Sequence, residues 1–216
     1  MNIQDYIDKN GLIKPRKSWE DSGNGIFYTA LYLLLEETTG PLNPSTPDFA
    51  PAIQSCFQKP GLLMRTPDNR YGQEQFDNVL GLTYLALRYN IQWAKEVISY
   101  GVEHNFVFDT NDVFEVKDFL GRYPHVFALM HEVGYRTESP LVLSFLSMFT
   151  TPRFMQLKEN DASGVNLSLF YQLMVSRLGG HVVQLSEAMK LAKITARTYF
   201  DEDHPIVYCI DRLPNG

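Results

Sequence analysis

Apolar residues recur along much of this chain with the spacing of α-helices. In the clearest stretch, residues 73–89, apolar and small side chains return every three or four positions. The positions that share this face are Phe76, Val79, Leu80, Thr83, Tyr84 and Leu87. A second stretch, residues 91–104, repeats the pattern after one intervening residue. Two helices joined by so short a connection form an antiparallel hairpin.

Two further segments are apolar on almost every side, which is typical of helices buried within a core. They are residues 25–37 and 166–178, and glycine follows each of them, at Gly40 and Gly179. Additional helices are predicted at residues 51–58, 123–133, 140–149 and 182–199. No convincing run alternates between polar and apolar positions as a strand would. The sequence therefore predicts an all-α fold, and its 216 residues suit a single domain spanning residues 1–216.

Three polar, glycine-bearing loops each precede a strongly apolar helix: residues 21–25, 68–72 and 161–166. Their leading aspartates are 47 and 93 residues apart, close to one and two units of a single period. A period of about 40 to 47 residues is the size of a two-helix unit. The loops therefore support a repeat of helical hairpins.

The simplest interpretation of these loops is structural. Asp, Ser and Asn accept hydrogen bonds from the first-turn amides of a helix, and Gly permits the turn into it. A second interpretation is functional: if alternate helices form an inner ring, their amino-terminal ends all point to one face. Loop carboxylates would then converge on one cleft above an aromatic floor, as glycoside hydrolysis requires. Both interpretations stay open on the sequence alone.

The buried helix after Asp21-Ser22-Gly23-Asn24-Gly25 resembles the α/α-toroid, or six-hairpin glycosidase-like, superfamily. The Asp68-Asn69 loop leading into residues 72–78 and the hairpin period share this resemblance, which covers residues 19–104 and 161–199. In that superfamily, acidic residues from such loops act as general acid and base on polysaccharides. About four hairpins fit into this chain, whereas the superfamily closes its ring with six. The resemblance therefore implies a shortened or partial toroid, which can keep the fold and lose the chemistry.

The resemblance also implies a set of candidate catalytic acids. They are Asp21, Asp68, Asp161, Glu74 and Asp77. Glu74 and Asp77 are three residues apart and share a helix face, so their mutual repulsion would raise the pKa of one of them. The alternative is that both are solvated acids favoured by the positive end of the helix dipole.

Four residues beside these acids are candidates for ligand binding: Trp19, Asn24, Asn69 and Tyr71. Trp19 and Tyr71 would stack on a sugar ring in the functional interpretation and hold the loops down in the structural one. Asn24 and Asn69 would be ligand donors or helix caps. The composition does not decide between the functional and the structural interpretation, because the 14 Phe and 12 Tyr can line a cleft or fill a core.

Charge and hydropathy disfavour two classes of partner. The net charge is −6, and the only local group of cations is Lys14-Pro15-Arg16-Lys17, so nucleic acid and anionic membranes are not expected partners. No apolar run approaches the roughly 18 residues of a membrane span. Residues 1–14 are too polar for a signal peptide, which predicts cytoplasmic synthesis. The final location stays open, and a virus particle is one candidate.

No metal or cofactor is predicted. His125 and His131 are six residues apart and lack the spacing of a zinc peptidase, and residues 109–112 lack the glycine and distal glutamate of a calcium loop. Cys56 and Cys209 form no framework, which predicts two inert thiols. The sequence has no phosphate-binding loop, dinucleotide fingerprint or serine elbow.

Two classes of function remain. The favoured one is a non-catalytic helical structural or interaction module, derived from a glycan-processing fold and placed in a larger assembly such as a virus particle. The alternative is a glycoside hydrolase or lyase-like enzyme that uses its loop carboxylates on a polysaccharide. Expected partners are accordingly a carbohydrate or an assembly protein, and an oligomer would be one way to complete the ring.

Overall fold

The computed structural model describes residues 2–21, 23–40, 44–68, 76–103, 161–178, 182 and 184–214. The chain divides into two compact units. The first unit combines Met1–Phe49 with Phe154–Gly216, and the second is Ala50–Arg153. The helices predicted at residues 123–133 and 140–149 lie outside the described residues, and so do His125, His131 and residues 109–112, whose spacing does not predict a metal site. A single domain stays a prediction.

The described residues are predominantly helical, which confirms that part of the predicted fold class. The elements in chain order are a 3-10 helix (Ile3–Tyr6), α1 (Gly25–Thr39), α2 (Ala50–Ser55), β1 (Phe57–Lys59), β2 (Leu62–Leu63), α3 (Phe76–Arg88), α4 (Gln92–Glu103), α5 (Ala162–Arg177), α6 (Leu185–Tyr199) and α7 (Pro205–Arg212). The toroidal arrangement stays a prediction. No described helix combines the length and the apolar character that crossing a membrane would require.

Helix α1 forms the centre of the first unit. Every residue from Gly25 to Glu36 is buried, as its almost uniformly apolar sequence predicts. Its one buried threonine has a partner, because the Thr29 hydroxyl accepts a hydrogen bond from the backbone amide of Ile13 at 3.1 Å. The amino-terminal segment thus packs onto this central helix.

Two contacts between α1 and α5 show that the helices run in the same direction. Phe27 in the first turn of α1 has its ring centroid 5.5 Å from that of Phe170, in the middle of α5. Near their ends, Glu37 and Arg177 form an ion pair at 2.5 Å. The amino-terminal ends of α1 and α5 therefore lie at the same end of the unit.

Helix α6 runs in the opposite direction. Its last residue, Tyr199, shares a hydroxyl–hydroxyl hydrogen bond with Tyr28 in the first turn of α1. The starts of α1 and α5 and the end of α6 are therefore together, and we call this end of the first unit, marked by Asn24, Asp161 and Tyr199, the rim.

Residues 2–20 close the first unit against the turn between α6 and α7. Tyr6 is buried, its ring centroid lies 4.3 Å from that of His204, and its hydroxyl donates to Asp203. The Lys17 ammonium lies 2.6 Å from the same Asp203 carboxylate, and together these contacts hold the pKa of Asp203 below its usual value. The Arg16 guanidinium donates to the Tyr199 carbonyl at the end of α6. Two cations of the Lys14–Lys17 run, Arg16 and Lys17, thus bind partners within the first unit.

The turn after α6 leads into a further helix, α7, which the sequence analysis did not predict. The His204 imidazole caps α7 by accepting the Ile206 amide at 3.0 Å, and Pro205 occupies its first turn. Burial of Ile206 and Ile210 then fixes the short helix on the core. Eight residues are too few for a period of 3.6 to stand out in sequence.

In the second unit, α3 and α4 form the predicted hairpin. Val79, Leu80, Thr83 and Tyr84 are buried as their spacing predicts, but Leu87 is exposed, so the predicted stripe is wrong at its end. Strands β1 and β2, which the sequence did not predict, pair around Pro60-Gly61. They turn at Gly61, whose φ of 78° favours glycine.

Candidate functional site at the rim

Asp161 is the cap of α5. Its Oδ1 accepts a hydrogen bond from the Gly164 amide at 2.9 Å, and the side chain is exposed. A Cβ atom at Gly164 would come within 2.5 Å of Asp161 Oδ2, so glycine is required for the carboxylate to approach this closely. Asp161 thus caps a helix, as the structural interpretation predicts, but residues 162–166, which were predicted as loop, form the first turn of α5.

Asp21 differs from Asp161 in being buried, with only 6% of its surface exposed. It lies close enough to another buried carboxyl, Asp8, to influence it. Burial raises the pKa of Asp8, hydrogen bonds from the amides of Leu12 and Asn10 lower it, and the charge of Asp21 raises it further. The first unit thus has two neighbouring acids that are largely shielded from solvent.

Two of the predicted ligand-binding residues lie near these acids. Asn24 occupies the cap position of α1, yet its side chain makes no capping hydrogen bond. Trp19 is 38% exposed, and its ring centroid lies 6.4 Å from that of Tyr199. Tyr199 in turn lies 5.8 Å from Tyr28, so the rim has a group of three aromatic rings. Trp19 both packs against the fold and offers an accessible surface.

Asn166 is a polar residue of the rim that the sequence analysis missed as a candidate. It is 1% exposed, and neither its Oδ1 nor its Nδ2 has a hydrogen-bonding partner. Most buried polar groups in proteins are hydrogen-bonded, so an amide without partners needs an explanation. The sequence signal was weak, because Asn166 is one of several polar residues in a largely apolar helix that also contains Ser168 and Gln172.

The remaining candidates belong to the second unit. Asp68 is exposed and accepts a hydrogen bond from the Thr66 hydroxyl at 2.7 Å. Asp77 lies in the first turn of α3, where burial raises its pKa to about 6 despite the opposing charge of Arg65. Glu74, Asn69 and Tyr71 lie outside the described residues, so the proposed Glu74–Asp77 pair stays a prediction.

The predicted acids therefore fall into two groups. Asp21 and Asp161 belong to the first unit, which also contains the rim, whereas Asp68 and Asp77 belong to the second. Within the described residues, no three His, Cys, Asp or Glu side chains come together as metal ligands would. The rim itself offers aromatic surface, a buried amide and acids engaged within the fold.

Comparisons of the chain with models of known protein families, with curated proteins and with solved structures gave no significant match.

Proposed function

We propose that the protein is a non-catalytic helical structural or interaction module that uses its rim to bind a glycan or an assembly partner. The observation that carries this proposal is the hydrogen bond between Asp161 and Gly164. It gives the best-placed acid of the rim a complete structural role. A descent from a glycan-processing fold, and a place in a larger assembly such as a virus particle, are parts of the same proposal.

The burial of Asp21 supports a non-catalytic role for the rim. A general acid or base must come within hydrogen-bonding distance of the substrate atom with which it exchanges a proton. Asp21 is 6% exposed, so a substrate would reach it only after the loop had moved. Asp161 is accessible but holds its own helix end in place. Neither acid is arranged to attack or protonate a bound glycan.

The aromatic rings at the rim support binding. Trp and Tyr are enriched among the residues that contribute most to protein interfaces, because they bury a large apolar area and keep a polar group. Trp19 has this character: it is anchored on Tyr199 and more than a third exposed. The same surface would stack on a sugar ring.

Tryptophan fluorescence can test the proposal, because the chain has only two tryptophans. Trp93 is buried and donates to Gln54 at 2.7 Å, so Trp93→Phe leaves Trp19 as the reporter of the rim. We expect soluble oligosaccharides or self-association to change the Trp19 emission, with no cleavage of any polysaccharide. Light scattering would measure the mass in parallel.

Two results would contradict the proposal. One is release of reducing ends or unsaturated products that is abolished by Asp21→Asn or Asp161→Asn. The other is a monomer whose Trp19 emission responds to no glycan. Asn caps a helix about as well as Asp, so the Asp161 variant should remain folded and any loss of turnover would be chemical.

A glycoside hydrolase or lyase-like enzyme is the second candidate, and Asp77 is the observation that favours it. A carboxyl group with a pKa of about 6 keeps its proton up to about pH 6, well above the pH at which an ordinary Asp loses it, and this favours a role as general acid. If the enzyme interpretation is right, turnover of a polysaccharide should disappear in Asp77→Asn and persist in Asp161→Asn.

A further inference from the structure

The position of Asn166 on α5 places its amide close to the rim. It precedes Phe170 by four residues, so both lie on the same helix face, and Phe170 contacts Phe27 of α1. Because α1 and α5 are parallel, Asn166 lies about one turn before Phe27, at the level where α1 begins. Helical side chains lean towards the amino terminus, which directs the Asn166 amide to the rim.

Two independent observations at this place point to a ligand. The first is that Asn24 gives the amino terminus of α1, a 15-residue helix, no side-chain cap. The second is the Asn166 amide, which is 99% buried and has a free acceptor and free donors. A carboxamide offers one acceptor oxygen and two N–H donors, so it binds best to a group that has both functions.

The charges at the rim restrict what that group can be. Asp21 and Asp161 precede α1 and α5 at the same end, and the Asp161 carboxylate already interacts with the start of α5. A further negative charge there would be repelled by these acids. A cation is disfavoured by the positive ends of the two helix dipoles, so the group that meets Asn166 should be uncharged.

We infer that Asn166 is the recognition residue of a small ligand subsite between the amino-terminal ends of α1 and α5. The ligand contributes an uncharged hydroxyl or carboxamide group, which accepts from Asn166 Nδ2 and donates to Oδ1. The ligand would enter past the small residues Ala162 and Ser163, which lie one turn nearer the amino terminus of α5 than Asn166. This inference rests on the proposed function only in that it puts a ligand at the rim.

Thermal unfolding with small probes tests the subsite. The probes are myo-inositol for hydroxyl groups, acetamide for carboxamides and inorganic phosphate as the anion. For the parent protein we expect one of the two uncharged probes to raise the Tm, by about 3–6 °C at ten times its Kd. The uncharged probe that raises the Tm identifies the polar group of the ligand as a hydroxyl or as a carboxamide.

Three variants make the test specific. Asn166→Leu removes the donor and acceptor, and Ala162→Leu narrows the access with a residue that favours helices. Both should abolish the shift. Asn10→Ala is the matched control, because it removes another buried amide nitrogen without a partner from the same unit and should leave the shift intact.

The inference is overturned if phosphate is the only probe that acts, if neither uncharged probe shifts the Tm, or if the shift persists in both leucine variants. Should Asn166→Leu fail to fold, Ala162→Leu still decides the matter. Cleavage of a polysaccharide at the rim would refute the proposed non-catalytic function. It would not change the conclusion about the Asn166 subsite.

Discussion

His204 in the first unit and Asp77 in the second are both buried titratable groups, and burial shifts their pKa values in opposite directions. In the first unit it lowers the pKa of His204 to about 4, and in the second it raises the pKa of Asp77 to about 6. Both groups are therefore held in their neutral form between these values. One physical cause, the loss of hydration by a charged group on burial, thus gives the two units opposite responses to acid.

The pH dependence of stability in each unit follows from the difference between the folded and unfolded pKa values of its buried group. His204 stabilises the first unit fully above about pH 6.5, and this contribution is lost as the pH falls towards 4. The contribution of Asp77 is complete below about pH 3.8 and is lost as the pH rises through 6. From pH 7 to pH 5 the first unit should lose about 2 kcal/mol and the second gain about 1 kcal/mol.

Phe170→Ala should be the most destabilising of these changes, and it should destabilise the first unit without affecting the second. Phe170 is fully buried and contacts Phe27, so its truncation should cost about 3–5 kcal/mol. Hydrogen exchange should show lost protection in α1 and α5 and unchanged protection in α3 and α4. Equal loss in all four helices would mean that the units do not unfold separately.

Asp77→Asn should remove the pH response of the second unit. The variant cannot ionise, so it should be more stable than the parent by about 3 kcal/mol at pH 8 and nearly equal to it in stability near pH 4. Exchange of the α3 amides at the two pH values measures this. A gain of the same size at both would show that the charge of Asp77 is not the cause.

His204→Asn is the corresponding change in the first unit. Asn can still cap α7, but it loses the bond to the Lys14 carbonyl and the contacts with Tyr6 and Phe200. We expect a loss of about 2 kcal/mol at pH 7 and little further loss at pH 5. Chemical unfolding at both pH values tests this, and a variant as acid-sensitive as the parent would exclude His204 as the source.

The smallest effect is expected at the rim. Asp161→Ala removes the cap of α5 and should cost about 1 kcal/mol, whereas Asp161→Asn should be nearly neutral. Thermal unfolding of both variants measures the difference. If the two were equally destabilised, the charge of Asp161 would matter more than its hydrogen bond with Gly164.

Local patterns predicted the long helices and one part of the rim. The apolar runs of α1 and α5 and the period of α3 predicted these helices, although α5 begins at Ala162, four residues before its predicted start. Asp161 caps α5, as the structural interpretation of the polar loops predicted. Helices α1 and α5 are parallel, whereas the inner ring of alternate helices stays a prediction. These features depend on residues a few positions apart, which is why the sequence contains them.

What the sequence did not predict depends on distant partners. Tyr6 is buried by residues almost 200 positions later, and Lys17 is paired with Asp203. Nothing close to either residue in sequence indicates these contacts. Asn166 was missed for a related reason: helical periodicity locates a buried face but does not show whether a polar side chain on it finds a partner.

The discontinuity of the first unit has a consequence for synthesis. Residues 50–153 emerge from the ribosome between its two parts, so α1 meets α5, α6 and α7 only after more than a hundred further residues have been made. The second unit can form its local hairpin during that interval. Until then the apolar surface of α1 is uncovered, and the nascent protein is most exposed to aggregation and to chaperone binding at this stage.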